Sequence, residues 1–257
     1  MKIQGKTILI TGGASGIGLE AARQFLEKGA KVIITGRNHN KLTAAKKQFP
    51  DLITIQSDVS NADDAQKLFE KVFGLGGIDI LYNNAGVGVS PINLGIANDK
   101  HIEGAKYEMD VNYIGIIRLN NLFMEMLKSR KEAAIINTTS ILSYVPSLVE
   151  ATYSATKTAL AFYTKALREH LRIIGSDLKI FELLPPVVDT EMTASRTGKK
   201  LTPEQLVKGL ISGLEKNQYT IRVGDSKIMY FLHRFFPKLA FSLVNPKTAH
   251  QNIKTSH

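Results

Sequence analysis

The chain contains no cysteine, which excludes disulfides, thiolate metal sites and cysteine nucleophiles. Histidine is scarce as well. The six residues His39, His101, His170, His233, His250 and His257 form neither a His-x-x-x-His nor a His-Glu-x-x-His pattern, so no catalytic metal is expected. No stretch reaches the roughly 18 uninterrupted apolar residues of a spanning helix, and glycines from residue 12 onward interrupt any apolar leader. Internal repeats, low-complexity tracts and long linkers are also missing. These absences suit a soluble protein of a reducing compartment, and a cytoplasmic location is expected.

Acidic residues are outnumbered, 23 against 33 basic, for a net charge of +10. From Pro186 onward there are eleven basic and five acidic residues, so the last 72 positions carry +6 of that charge. Such a bias fits nucleic acid, an anionic membrane surface or an anionic ligand. There is no nucleic-acid motif and no interleaving of aromatic and basic residues, so no nucleic-acid partner is expected. A solvated basic face, with part of the charge compensating a phosphate-rich ligand, is the simpler reading.

At 257 residues, 44% hydrophobic and 22% charged, the chain fits one α/β domain with a substantial core, although length alone would permit two small ones. Short β-branched runs predict strands at 6–11, 31–36, 52–57, 78–83, 133–138, 178–184 and 219–223. Helical periodicity predicts helices at 17–28, 40–48, 62–73, 104–129, 152–174 and 203–216. The last opens Thr202-Pro203-Glu204-Gln205, a cap followed by proline in the first turn. The alternation predicts a single domain over 1–257. Its fold is α/β and doubly wound, a mostly parallel seven-stranded sheet with helices on both faces.

Gly12, Gly13, Gly16 and Gly18 lie between the first strand and the first helix. Strand, glycine turn and amphipathic helix make the start of a dinucleotide-binding βαβ unit, with the pyrophosphate on the helix N-terminus. Tyr153 and Lys157 stand one helical turn apart on one face, with Ser140 thirteen residues upstream. Of eight tyrosines only Tyr153 has a lysine four residues later. An ammonium there can lower a phenol pKa that is ordinarily about 10, making it a general acid or base. Taken alone the pair also suits an ordinary helix surface; a redox cofactor beside it gives it meaning.

These pieces together resemble the short-chain dehydrogenase/reductase family, in its compact, non-extended group. The matching segments are Thr11-Gly12-Gly13-Ala14-Ser15-Gly16-Ile17-Gly18, Asp58, Asn83-Asn84-Ala85-Gly86, Asn112, Ser140, Tyr153-Ser154-Ala155-Thr156-Lys157 and Pro185 through Thr190. The resemblance implies an enzyme that interconverts a carbonyl and an alcohol by hydride transfer, with Asn112, Ser140, Tyr153 and Lys157 catalytic. Tyr153 would exchange the proton, Ser140 would orient and polarise the substrate oxygen, and Lys157 would lower the tyrosine pKa and bind the nicotinamide ribose. Asn112 looks like the asparagine that disturbs a long helix to hold a relay water.

The second strand runs into Gly36-Arg37-Asn38 with no acidic residue to hold a ribose 2′-hydroxyl. A guanidinium suits a 2′-phosphate, and a basic residue here goes with NADP(H) in the family, although a plain surface arginine reads the same way. Ser15 and Asn38 offer further hydrogen bonds. The expected cofactor-binding set is Gly12, Ser15, Gly16, Ile17, Gly18, Arg37, Asn38, Asp58, Val59, Asn84, Ala85, Gly86, Tyr153, Lys157, Pro185, Val188 and Thr190. Asp58 would accept from the adenine amino group, or else serve only as a turn aspartate beside Ser60 and Asn61. Pro186 stands where the family usually has glycine and removes a backbone donor.

Residues 87–104 and 191–203 should line the substrate cleft, with 191–216 a substrate lid. The segment 226–244, apolar with His233, Arg234 and Lys238 between and Pro237 breaking it, could wall the substrate pocket, pack on a second subunit or rest on a membrane. Family habit favours the first two, and a homodimer or homotetramer is expected. This tail and the short lid are loosely similar to a bacterial DltE-like subgroup linked to teichoic-acid D-alanylation operons. A small carbonyl or alcohol is the expected substrate. The alternatives are a non-catalytic NADP(H)-binding regulator and a nucleotide-sugar epimerase or dehydratase.

Overall fold

The computed structural model describes residues 1–89 and 93–255, apart from the side chains of Asn252 and Thr255. Seven strands form one sheet: β1 (Thr7–Thr11), β2 (Lys31–Gly36), β3 (Ile53–Gln56), β4 (Ile80–Asn83), β5 (Ala134–Thr138), β6 (Lys179–Leu184) and β7 (Thr220–Arg222). Their spatial order is β3-β2-β1-β4-β5-β6-β7, and every pairing is parallel. The order reverses between β1 and β4, where a doubly wound sheet opens a crevice at the carboxyl ends of its strands.

The strands are buried on both faces, as a parallel sheet requires. With period-2 alternation, Ile8 and Ile10 point into one core and Leu9 into the other. The first core is closed by α1 (Gly16–Glu27) and α7 (Pro203–Glu215), which bury Phe25, Leu206, Leu210 and Leu214. The second is closed by α3 (Ala62–Gly74), α5 (Gly115–Lys128) and α6 (Ala151–Ile173), through Leu68, Phe123 and Leu171. The short α2 (His39–Gln48) follows β2 and is capped by the Asn38 side chain, which accepts from the Lys41 amide.

The predicted strands are all present, shorter by up to two residues at an end. The predicted helix 104–129 is instead three pieces: α4 (Lys100–Met109), a π-helical turn at Asp110–Ile114, and α5. Gly115 explains part of this, because a Cβ there would lie 2.5 Å from the Val59 carbonyl oxygen. The chain can pass this close to β3's following turn only at a glycine.

The segment 191–216 divides. Pro203–Glu215 is α7, held by the expected Thr202–Gln205 capping box and buried in the core, so it is no mobile lid. From this segment, Glu191 and Met192 line the crevice. Beyond β7 the chain forms three further helices that periodicity alone did not reveal: α8 (Ser226–Phe235), α9 (Pro237–Val244) and α10 (Lys247–Thr255). Pro237 is the first residue of α9, where a missing N–H costs nothing. Among the described residues no helix is long and apolar enough to cross a membrane.

Candidate active site

A crevice of about 580 Å³ opens at the carboxyl ends of β1, β2 and β4, lined among others by Gly12, Ser15, Ile17, Arg37, Asp58 and Thr190. Its floor is the glycine turn. Gly12 and Gly16 adopt φ of +63° and +53°, a left-handed conformation that favours glycine. Gly18 does not line the crevice; a Cβ there would lie 2.3 Å from the Gly12 carbonyl, so its role is to let α1 sit tightly under the turn. The first turn of α1 holds no acidic residue, and Ser15 makes no side-chain cap. Its amide groups and positive dipole end are therefore available to a pyrophosphate. The residues present fit a dinucleotide.

The wall beside the glycine turn is pinned by amides. The Asn84 side chain donates to the carbonyls of Thr11 (3.1 Å) and Gly12 (3.2 Å), while the Thr11 hydroxyl accepts from the amides of Asn84 and Ala85. Below it, buried Asn83 donates to Asn120 (2.8 Å) and Asn137 (2.9 Å), and Asn137 donates to Thr164. This network joins β4, β5, α5 and α6 under the site.

At the adenosine end, Arg37 donates a hydrogen bond to the Tyr107 hydroxyl and stacks over that ring at 5.6 Å. Asn38 has its side-chain oxygen engaged as the α2 cap. Asp58 closes a turn, its Oδ1 accepting from the Ser60 amide (2.9 Å) and hydroxyl (2.7 Å), and it still lines the crevice with Val59. The turn reading of Asp58 is met in this geometry. Sequence reasoning missed Lys41. It lines the same end and pairs with Glu191 at 2.5 Å, a contact 150 residues apart that no local pattern announces.

At the other end Asn112, Ser140, Tyr153 and Lys157 converge. A Cβ placed on Gly86 would lie 3.4 Å from both Asn112 Oδ1 and Lys157 Nζ, so these two groups flank the crevice wall. Lys157 is buried, donates to the Thr138 carbonyl (2.9 Å) and sits 5.6 Å from the centre of the Tyr153 ring. Ser140 Oγ accepts from the Leu142 amide, fixing the turn after β5, and its hydrogen bond to Tyr153 favours the ionised phenol.

The expected depression of the tyrosine pKa is not what this geometry produces. Burial pushes the Tyr153 phenol up to about 12; the charge of Glu108 adds to this and Ser140 opposes it. Burial also lowers Lys157 to about 8. Desolvation disfavours both charged forms here. Glu108, fully buried on α4 with Oε1 accepting from the Val89 amide at 2.8 Å, is a second participant that no motif signals.

The π turn supplies the expected disturbance in the long helix. The Asn112 amide donates to the Val87 carbonyl (2.8 Å) and Thr156 Oγ1 (3.1 Å), and its oxygen accepts from the Val87 amide (2.9 Å). Its side chain ties the segment after β4 to α6. Five of the expected cofactor residues, Gly18, Tyr153, Lys157, Pro185 and Val188, fall outside the crevice lining. Val188 is buried in the first core and bridges to Leu201, and the Pro185 carbonyl accepts from the Ile141 amide. Thr190 lines the crevice, its methyl 3.2 Å from a Cβ on Gly16.

On the substrate side, a Cβ on Gly88 would lie 3.7 Å from the Tyr153 ring and 4.0 Å from Glu150. Glu150 forms an ion pair with Arg196 of the crossing segment. Of the cleft segment 87–104, residues 90–92 lie outside the described residues.

The sequence model of the family described as short chain dehydrogenase matches residues 6–201. An uncharacterised oxidoreductase of Bacillus subtilis, DltE, is 33% identical over 228 residues, covering 86% of this chain and 89% of the relative. A short chain dehydrogenase from Burkholderia cenocepacia, solved in complex with NADP, superposes with a TM-score of 0.82 at 26% identity, covering 99% of this chain and all of that one. The 3-ketoacyl-(acyl-carrier-protein) reductase of Brucella melitensis, complexed with NADH, matches at TM-score 0.75 and 26% identity over 82% of this chain and 91% of that chain. Crevice, glycine turn and converging side chains thus coincide with a family match over most of the sequence, and the chain belongs to the short chain dehydrogenase family of oxidoreductases.

Proposed function

We propose that the protein is an NADP(H)-dependent carbonyl reductase, with Tyr153 as the proton donor. The observation that carries this reading is the meeting of Ser140, Tyr153 and Lys157, with Lys157 beside the Gly86 wall of a crevice that presents Arg37 and Lys41 at its other end. When bound, the dinucleotide supplies a hydride from its nicotinamide; the chain supplies position and the proton. A phenol pushed up to about 12 is protonated at neutral pH and is poised to donate its proton to a carbonyl oxygen. The Ser140 hydroxyl holds the carbonyl oxygen beside it. As the proton leaves Tyr153, the Lys157 ammonium stabilises the phenolate. Asn112 fixes the loop that completes the wall, leaving main-chain carbonyls of the π turn to hold a relay water.

Relatives are divided between NADP and NADH, so the local residues decide the preference. Two cations and no acidic residue at the end of β2 favour the 2′-phosphate. The test is cofactor oxidation over a panel of aldehydes and ketones, run with NADPH and NADH in parallel. Turnover of at least one carbonyl with clear NADPH preference is expected. Dinucleotide binding with no turnover across the panel would instead favour a regulatory protein.

A further inference from the structure

The helices α8 and α9 are mounted the wrong way round for a core-facing pair. Their inner contacts combine polar and cation–aromatic groups with the Tyr144–Tyr230 ring pair and the small buried Ala240. The Arg222 guanidinium lies 3.9 Å above the Tyr230 ring and donates to the Tyr144 hydroxyl (3.0 Å), and the Tyr144 ring stacks on His233. Asn245, buried at the end of α9, accepts from the Leu148 amide (2.7 Å) and donates to the Pro146 carbonyl (3.0 Å).

The apolar side chains point outward. On α8, Ile228, Phe231 and Phe235 recur at positions i, i+3 and i+7, and Phe236, Leu239 and Leu243 repeat that spacing along α9. All six are between 48% and 63% exposed. Ring contacts from Phe231 to Phe235 (4.8 Å) and to Phe236 (6.1 Å) join the two stripes into one surface across the Pro237 break. A water-facing stripe of this kind marks an interaction surface.

Charge selects the partner. After Asp225 the sequence contains no aspartate or glutamate, while Lys227, Arg234, Lys238, Lys247 and Lys254 are all exposed. A second copy packed on this face about a twofold axis would bring the same cations together. We infer that α8 and α9 dock the protein onto an anionic phospholipid surface, lying in the interface plane with the aromatic stripe among the acyl chains and the lysines at the headgroups. The helices are too short to span and suit this posture. They rest on the segment 144–148, between Ser140 and Tyr153, so docking would bring the substrate side of the site close to the lipid. The inference stands apart from the identity of the reaction.

The test is vesicle flotation of the full chain with phosphatidylcholine vesicles and with vesicles containing about one-third phosphatidylglycerol. Binding at least about tenfold stronger to the anionic vesicles is expected, weakened severalfold by raising salt to roughly 0.5 M. The Phe231→Asp/Phe235→Asp variant should lose that binding while keeping its thermal midpoint and NADPH affinity. Because it could fold poorly, Lys227→Glu/Lys238→Glu gives a second reading: its binding should fall toward that of neutral vesicles. Equal binding to both vesicle types, or anionic-vesicle binding unchanged in both variants, would overturn the inference. So would an oligomer that Phe231→Asp/Phe235→Asp dissociates in sedimentation equilibrium, since the patch would then be a subunit interface.

Discussion

The two ends of the crevice are built on opposite physical terms. The adenosine end is assembled from charges at the surface: Arg37, Lys41 and the turn at Asp58. The Glu191 side chain that pairs with Lys41 is 75% exposed, so water and salt screen the pair. The chemical end is assembled from buried groups with named partners, Lys157 on Thr138 and Asn112 on Val87 and Thr156. Screened charges tune binding in small, redundant steps, whereas buried polar groups have no water to replace a lost partner. Substitutions at the two ends should therefore differ in size and in kind.

The largest effect is expected at Lys157, which we propose serves both proton transfer and the nicotinamide ribose. Lys157→Ala should lower turnover by about 10³-fold and also raise the NADPH Kd, measured by steady-state kinetics and fluorescence titration. Asn112→Ala comes next. It strips the Val87 backbone of two partners and should destabilise the fold by about 3 kcal/mol, visible as a Tm lower by roughly 6–10 °C. A drop in turnover at unchanged Tm would mean that Asn112 acts in the chemistry rather than through the loop.

At the adenosine end, Arg37→Ala should weaken NADPH by about tenfold or more and leave NADH nearly unchanged. Equal losses for both cofactors would show that Arg37 matters only through its contact with Tyr107. The smallest effect is expected for Glu191→Gln. Releasing Lys41 from its partner should tighten NADPH binding by about two- to fivefold at low salt, and the gain should vanish at high salt. An equally large effect here and at Lys157 would erase the contrast between the two ends.

The pH dependence separates the buried pair further. Lys157 is charged below its pKa of about 8 and neutral above it, whereas Tyr153 keeps its proton to about 12. Reduction, followed as kcat/KM, should stay level through neutrality and decline as pH rises past about 8, when the lysine loses its charge. The same lysine has a stability consequence. Its folded pKa lies below the unfolded value of 10.5, so its charged form costs stability below about 8, and that cost is relieved as pH rises from 8 toward 10.5.

How legible each part was in the sequence follows from the range of the forces involved. Strands β1 to β7 and the glycine turn were readable because β-branched runs and Gly12, Gly16 and Gly18 act through local sterics. Asn112 and Lys157 were found by motif, but the wiring of Asn112 to Val87, 25 residues away, was not. The pKa directions were missed because spacing on a helix says nothing of burial, and burial is the largest cause of both shifts here. Lys41, Glu108 and Arg196 carry no local signature; their partners lie 150, 19 and 46 residues distant in the chain. The segment 226–244 was seen as apolar and basic, but the outward direction of its stripes is a tertiary property.

The most direct measurement compares turnover and cofactor affinity in Tyr153→Phe, which removes one hydroxyl from the buried end and nothing from the charged one. Carbonyl reduction should fall below detection while the NADPH Kd stays within about twofold of the unaltered protein. Near-normal reduction by that variant would contradict the assignment of the proton to Tyr153 and, with it, the division of labour between the two ends.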